Sequence, residues 1–220
     1  MSFSEQHLKV QRTARYYQSA DISAQTQQLW FVCHGYGQLG AYFAPKFASI
    51  ADASTVIIAP EALSRFYQSA FNGRVGATWM TKEDRLHEIE DYIAYLNQLY
   101  NHILAQHPQP QTLQIHILGF SQGVATAVRW AANGHVQFHH LTAWAGTFPT
   151  ELDYEVLGHN WKTQAIDIVY GLQDEFFTEA NFQTHINQLA EAGLQFDTHT
   201  FEGKHDLHHD TLMHIAQLRR

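Results

Sequence analysis

Short apolar runs rich in β-branched residues alternate along this chain with longer segments in which apolar residues recur at helical spacing, the pattern of parallel strands joined by crossover helices. Residues 29–33 and 55–59 are almost uninterrupted apolar runs, as expected of strands covered on both faces. Residues 113–118 and 166–170 read the same way, 141–145 and 196–201 extend the sheet, and 8–18 supply an outer strand. The spacing predicts a helix over 82–105, with Leu86, Ile89, Ile93, Leu96, Tyr100 and Ile103 on one stripe, Thr81 as its cap and Pro108 as its stop. A second helix follows Thr178 through Phe182, Ile186 and Leu189 and ends at Gly193; a third follows Ser121; a fourth passes through Leu212, Ile215 and Leu218. The expected architecture is α/β, a mostly parallel sheet of about seven strands between two helical layers.

Residues 1–220 contain no internal repeat, low-complexity tract or Pro/Gly/Ser-rich linker, so one domain is expected. Two connections, 60–81 and 146–163, are long for such a fold and follow strands, at the sheet edge where open α/β proteins bind ligands. No large lid domain is inserted between the elements.

Composition narrows the function classes. Cys33 is the single cysteine, which excludes an internal disulfide framework and a multi-cysteine zinc site. Thirteen basic against 21 acidic residues leave a formal charge of −8, with the basic residues scattered, so nucleic acid is not an expected partner. Full protonation of the 16 histidines would carry the charge to +8, placing a solubility minimum near the sequence pI of about 6.0. With no signal-like start and no apolar run of about 18 residues, the chain is expected to be cytoplasmic, without stable membrane insertion.

Gly119-Phe120-Ser121-Gln122-Gly123 sits where an apolar strand gives way to an alanine-rich helix, the context a G-x-S-x-G nucleophile elbow needs. A serine needs a base, and the base needs a group to orient it. Asp174 falls just past the 166–170 strand, with Glu175 as its rival; His205 lies between the last strand and the last helix, with His208 and His209 as competitors. His205, Asp206, His208 and His209 also have the spacing of metal ligands, but neither a metal nor a cofactor is expected there. Cys33-His34-Gly35-Tyr36-Gly37 follows a strand where a loop can donate an oxyanion-hole amide; the backbone N–H groups of Tyr36 and Gln122 are the expected donors. His34 is expected to support that loop and Cys33 to be a small buried residue.

His34-Gly35-x-Gly37, the elbow at Ser121, Ala145-Gly146-Thr147-Phe148-Pro149, Gly171-x-x-Asp174 and Gly203-x-His205 occur in the order and spacing of the phospholipase/carboxylesterase family, which this chain resembles over about residues 28–215. The resemblance implies the α/β-hydrolase fold, a triad of Ser121, Asp174 and His205, and a small-molecule ester or thioester substrate. The chain departs from the family pattern in having Gln38 where an aspartate is usual, Trp79-Met80-Thr81 for a Trp-Phe-Asp segment, and Phe176-Phe177 after the acid. Phe66, Tyr67, Phe71, Trp79, Met80 and Phe176 are the candidate walls of an acyl pocket. The competing reading is a non-catalytic scaffold that binds a ligand or partner, and the same triad could also serve an amidase or acyltransferase. An edge strand or the loop aromatics would give a homodimer its contact.

Overall fold

The computed structural model describes residues 2–70, 72–133 and 135–220. In chain order the elements are β1 (Tyr16–Gln18), β2 (Gln28–Cys33), α1 (Gly40–Phe43), β3 (Thr55–Pro60), β4 (Ser64–Tyr67), β5 (Val75–Thr78), α2 (Arg85–Leu104), β6 (Gln114–Phe120), α3 (Gln122–Ala132), β7 (His140–Trp144), α4 (Tyr154–Asn160), β8 (Ala165–Gly171), α5 (Glu179–Glu191), β9 (Asp197–Phe201) and α6 (His209–Leu218). Seven strands form one sheet in the order β1-β3-β2-β6-β7-β8-β9. β1 runs antiparallel to β3, and the other neighbours pair in parallel.

The all-apolar strands are explained by two cores. Successive side chains of a strand point to opposite faces, and in β2 Leu29 and Phe31 join one core while Trp30 and Val32 join the other. The first core is roofed by Tyr92, Leu96 and Leu99 of α2, Val124, Ala127 and Val128 of α3, and Phe182 and Leu189 of α5. Phe43 of α1 and Leu212, Ile215 and Ala216 of α6 close the second. Among the described residues no helix is long and apolar enough to cross a membrane.

Three local expectations change. The outer strand is confined to Tyr16–Gln18, where it pairs with β3; Leu8 and Val10, although spaced for one strand face, find no partner strand among the described residues and stay 86 % and 78 % exposed. Thr81 does not cap α2. Asp84 stands at the N-cap with a φ of 49° and no side-chain capping bond, while the Thr81 hydroxyl accepts from the Glu83 N–H in a turn just before it. The long connections are not bare loops: 60–81 folds into the hairpin β4–β5, and 146–163 contains α4, whose N-cap Asp153 accepts from the N–H groups of Glu155 and Val156.

Several of the histidines belong to a buried polar chain in the second core. Asp167 of β8 has no exposed surface and binds His140, His199 at 2.8 Å and Arg219 at 2.7 Å. The other nitrogen of His140 lies 3.1 Å from His116 Nδ1, whose ring stacks on Trp30. Burial pushes the His116 imidazole down to about 2. Burial alone would raise the Asp167 carboxyl, but the hydrogen bonds from His140 and Arg219 outweigh it and hold it well below the usual carboxylate range. Asp167→Ala takes the buried carboxylate away from His140 and His199 and leaves Arg219 only its pair with Asp197, and is expected to cost about 3 kcal/mol in urea unfolding at pH 7. Because the folded-state pKa is depressed, this contribution is complete above the unfolded aspartate value of about 3.9 and fades as pH falls below it. The gap between wild type and variant should narrow accordingly in acid.

Candidate active site

The turn from β6 into α3 is set by how closely backbones approach one another. A Cβ on Gly119 would lie 2.3 Å from the Gly123 carbonyl oxygen, and a Cβ on Gly123 would lie 2.1 Å from that of Cys33. Between them Ser121 has a φ of 54°, a conformation that costs a non-glycine residue about 1–3 kcal/mol and clusters at functional sites. The Ser121 N–H donates to the Trp144 carbonyl at 2.9 Å, and its own carbonyl accepts from Val124. Gly123→Ala must move main chain to fit, so it is expected to lower stability by at least about 2 kcal/mol and to cut activity. Gly193→Ala is the control: its φ of +80° is strained but nothing lies within 4 Å, so about 1 kcal/mol and unchanged turnover are expected.

Asp174 follows β8 in a turn closed by its N–H on the Gly171 carbonyl at 3.1 Å. One carboxylate oxygen accepts from the N–H groups of Phe176 and Phe177 at 2.8 and 2.9 Å. The other meets His205 Nδ1 at 2.7 Å. The aspartate is buried, so its lone pairs have fixed partners and the imidazole is aimed with little freedom. The turns carrying the two residues are laced together: Leu172 N–H donates to Phe201 and Gln173 N–H to Gly203, both at 2.9 Å. A Cβ on Gly171 would lie 2.4 Å from the Gly203 oxygen, which is why a glycine stands there. With Nδ1 committed to Asp174, Nε2 is the nitrogen available for proton transfer.

Ser121 and His205 line one open cavity of about 400 Å³ with Gln122, Ala125, Ala145, Gly146, Thr147, Phe176, Phe177 and Asn181. Asp174 stands behind His205 rather than in the lining, and Glu175, His208 and His209 neither line the cavity nor meet His205. Glu175 lies 4.0 Å from Lys204 on the surface. His208 caps α6 by accepting from the Thr211 N–H and stacks on Phe201, and His209 sits exposed beside Asp210. Asp206 takes Lys46 at 2.7 Å, so the 205–209 group is spread over different partners and is not gathered as a ligand set. A larger cavity of about 730 Å³, lined by Gln27, Thr55, His107 and Gln114 among others, lies at the opposite edge of the sheet and contains none of these residues.

The loop after β2 passes directly over the serine, since a Cβ on Gly35 would meet the Ser121 Cβ at 3.2 Å. Gln38 replaces the usual aspartate yet still ties the loop, its Oε1 accepting from the Gly35 N–H at 2.9 Å. His34 is fully buried, with Nδ1 on the Gly35 carbonyl and Nε2 accepting from the Ala62 N–H, which makes it a loop brace. Burial pushes the Cys33 thiol up to about 12, so it is no second nucleophile. The amides of Tyr36 and Gln122 donate to no acceptor among the described residues.

The hairpin β4–β5 bolts this loop down, a role for which the sequence carries no local signal. Gly37 N–H donates to the Ala77 carbonyl at 2.8 Å, and Trp79 Nε1 donates to the His34 carbonyl at 2.8 Å. Gln122 reaches across with its side chain, Nε2 donating to the Thr78 hydroxyl and the Met80 carbonyl at 3.0 and 2.9 Å. Of the expected pocket walls among the described residues, only Phe176 lines the cavity, its ring 5.1 Å from that of His205. Trp79, 3 % exposed, is drawn into the core by its indole bond and its contact with Tyr92. Met80 packs against Arg129, Phe66 lies tilted against the Tyr36 ring with centroids 5.1 Å apart, Tyr67 is directed to solvent, and Phe71 lies outside the described residues. Phe177, Thr147, Ala125 and Asn181 take their place. Phe177 and Thr147 stood beside recognisable motif residues, but Ala125 and Asn181 are brought to the cavity only by the first turns of α3 and α5.

A model of the phospholipase/carboxylesterase family matches residues 20–218. Among solved structures, the chain is similar to the esterase PE8, at 18 % identity and a TM-score of 0.68 over 94 % of this chain and 98 % of that one. It is similar to Zea mays acyl-protein thioesterase 2, at 17 % identity and a TM-score of 0.68 over 94 % and 97 %. A phospholipase/carboxylesterase from Dyadobacter fermentans matches at 16 % identity and a TM-score of 0.64 over 95 % and 97 %. At these identities the likeness is one of fold. No curated protein matches the chain.

Proposed function

We propose, from the premise that this chain belongs to the phospholipase/carboxylesterase family of hydrolases, that Ser121, His205 and Asp174 are nucleophile, base and orienting acid for small-molecule carboxylic esters or thioesters. The observation that carries this reading is the 2.7 Å Asp174–His205 bond, which aims an imidazole at the cavity it shares with a serine of positive φ. Ser121 Oγ adds to the carbonyl carbon while His205 Nε2 takes the hydroxyl proton, and Asp174 stabilises the imidazolium. The carbonyl oxygen gains the electron pair and is held by the N–H groups of Tyr36 and Gln122. Collapse expels the alcohol or thiol, which leaves with the proton from His205; water then adds to the acyl-serine by the same route and releases the acid.

Phe176 is 79 % exposed at the mouth of a cavity of about 400 Å³, which supports short acyl groups over long ones. The test is hydrolysis of p-nitrophenyl esters from acetyl to palmitoyl, together with labelling by a fluorophosphonate. Turnover highest for short chains, with the label on Ser121, is the expected result. A folded protein that neither turns over any ester nor takes the label would replace this proposal with the binding-scaffold reading. Phe176→Ala is expected to shift the preference toward longer chains, and an unchanged profile would remove Phe176 from the pocket.

A further inference from the structure

We propose that Glu5, His7, Asp84 and His87 form a zinc site that fastens the amino-terminal arm to the first turn of α2. It is remote in role from the hydrolytic site and does not depend on the reading of Ser121. Asp84 stands at the N-cap of α2, where an aspartate normally accepts from the N–H of N2 or N3. It makes no such bond. Its two oxygens serve two imidazoles instead, lying 2.6 Å from His87 Nδ1 and 3.4 Å from His7 Nε2.

Glu5 brings a second carboxylate to 3.1 Å from the same His7 nitrogen. That nitrogen carries at most one proton, yet two carboxylates from separate segments converge on it. The His7 and His87 rings are stacked with centroids 4.0 Å apart, an arrangement that two imidazolium ions would oppose by like-charge repulsion. A divalent cation resolves both conflicts.

The geometry suits zinc. Zinc binds imidazole nitrogen and carboxylate oxygen at about 2.0–2.2 Å in tetrahedral sites, which separates neighbouring ligand atoms by about 3.3 Å. The 3.1 and 3.4 Å approaches to His7 match this edge, the 2.6 Å between Asp84 and His87 must open to reach it, and the donor atoms of His7, Asp84 and His87 all lie within 4.8 Å of one another, with Glu5 joined to them through His7. Two carboxylates balance the ion's two charges, so the bound site adds no net positive charge to the positive end of the α2 dipole. Arg85, the nearest cation in sequence, is turned away to Glu151 at 3.1 Å. The side chains are open to solvent, at 78 % for Glu5 and 42–44 % for the other three, so an ion can enter from water.

Residues 2–15 contain no helix or strand. A site that takes two ligands from this arm and two from α2 therefore closes a long loop and orders the arm. Lys9 and Arg12 lie in this arm and are exposed, which provides a readout independent of catalysis.

The experiment is calorimetric titration of the chelator-treated full-length protein with zinc chloride, paired with trypsin digestion with and without zinc. The expected result is one zinc per chain, affinity lowered about tenfold or more in His7→Ala, Asp84→Asn and His87→Ala, and no change in His209→Ala, an exposed histidine elsewhere. Zinc should slow cleavage after Lys9 and Arg12 about tenfold in the wild type and leave it unchanged in His87→Ala. Absence of zinc binding, equal affinity in His87→Ala, or cleavage indifferent to zinc would each overturn the proposal. Magnesium in place of zinc is expected to give no protection, since it demands octahedral oxygen ligation; protection by magnesium would overturn the assignment to zinc.

Discussion

Ser121→Ala is expected to lower turnover of the preferred p-nitrophenyl ester by about 10⁴ to 10⁶, with the folded structure retained. The size follows from the reaction having no other route to the acyl-enzyme: loss of one member of such a constellation removes nearly all that the constellation contributes, and what remains comes from binding and the oxyanion donors. Alanine accepts the backbone of position 121 at much the same strain as serine, because both carry a Cβ at a φ of 54°. The Ser121 side chain enters no hydrogen bond with the helix it caps. Unfolding temperature should thus stay within a few degrees of wild type while the rate collapses and the fluorophosphonate label disappears. Turnover within tenfold of wild type in a clean preparation would remove Ser121 from the mechanism.

The second large effect is at His205. His205→Ala is expected to lower turnover by about 10⁴ or more, whereas His209→Ala should stay within about threefold. His208→Ala forfeits a helix cap worth about 1 kcal/mol and keeps its rate. The three histidines stand within five positions of one another, so the contrast isolates geometry from composition. Only His205 meets a buried carboxylate, at 2.7 Å. Asp174→Asn should follow His205→Ala with a loss of about 10⁴, because an amide in place of the carboxylate permits the wrong imidazole tautomer. The base must be neutral to take a proton, so wild-type turnover should fall as the medium is acidified. If His208→Ala were the inactive variant, the base would move to that position and the role of Asp174 would fall with it.

How much was legible beforehand varies by element, and for reasons that can be named. β2, β3, β6 and β8 could be read because strands covered on both faces must be apolar throughout, and α2 because its stripe repeats at helical period. β1 was overextended because an edge strand lacks that requirement, leaving pattern and pairing loosely coupled. The hairpin β4–β5 escaped notice because β4 is only half-buried, Ser64 and Phe66 alternating with exposed Arg65 and Tyr67, while β5 is short and brings only Ala77 to the first core. Trp79 was misplaced for a related reason: a large aromatic in a long loop fits a pocket wall and a buried brace equally well until the partner of its N–H is known.

By itself the sequence determined the α/β layering, the glycine-bounded turn at Ser121, and the order of serine, aspartate and histidine after strand ends, since periodicity and steric need at glycine are local properties that short stretches record. Tertiary structure decided among neighbours of identical chemistry. It alone put His205, and neither His208 nor His209, against Asp174, buried Asp174 while leaving Glu175 in water, assembled the Asp167 network from β7, β8, β9 and the residue after α6, and carried His7 to His87 across the surface. Each of these depends on which distant segments touch, and hydrogen bonds and ion pairs form only within a few ångströms, a condition that sequence separation does not encode.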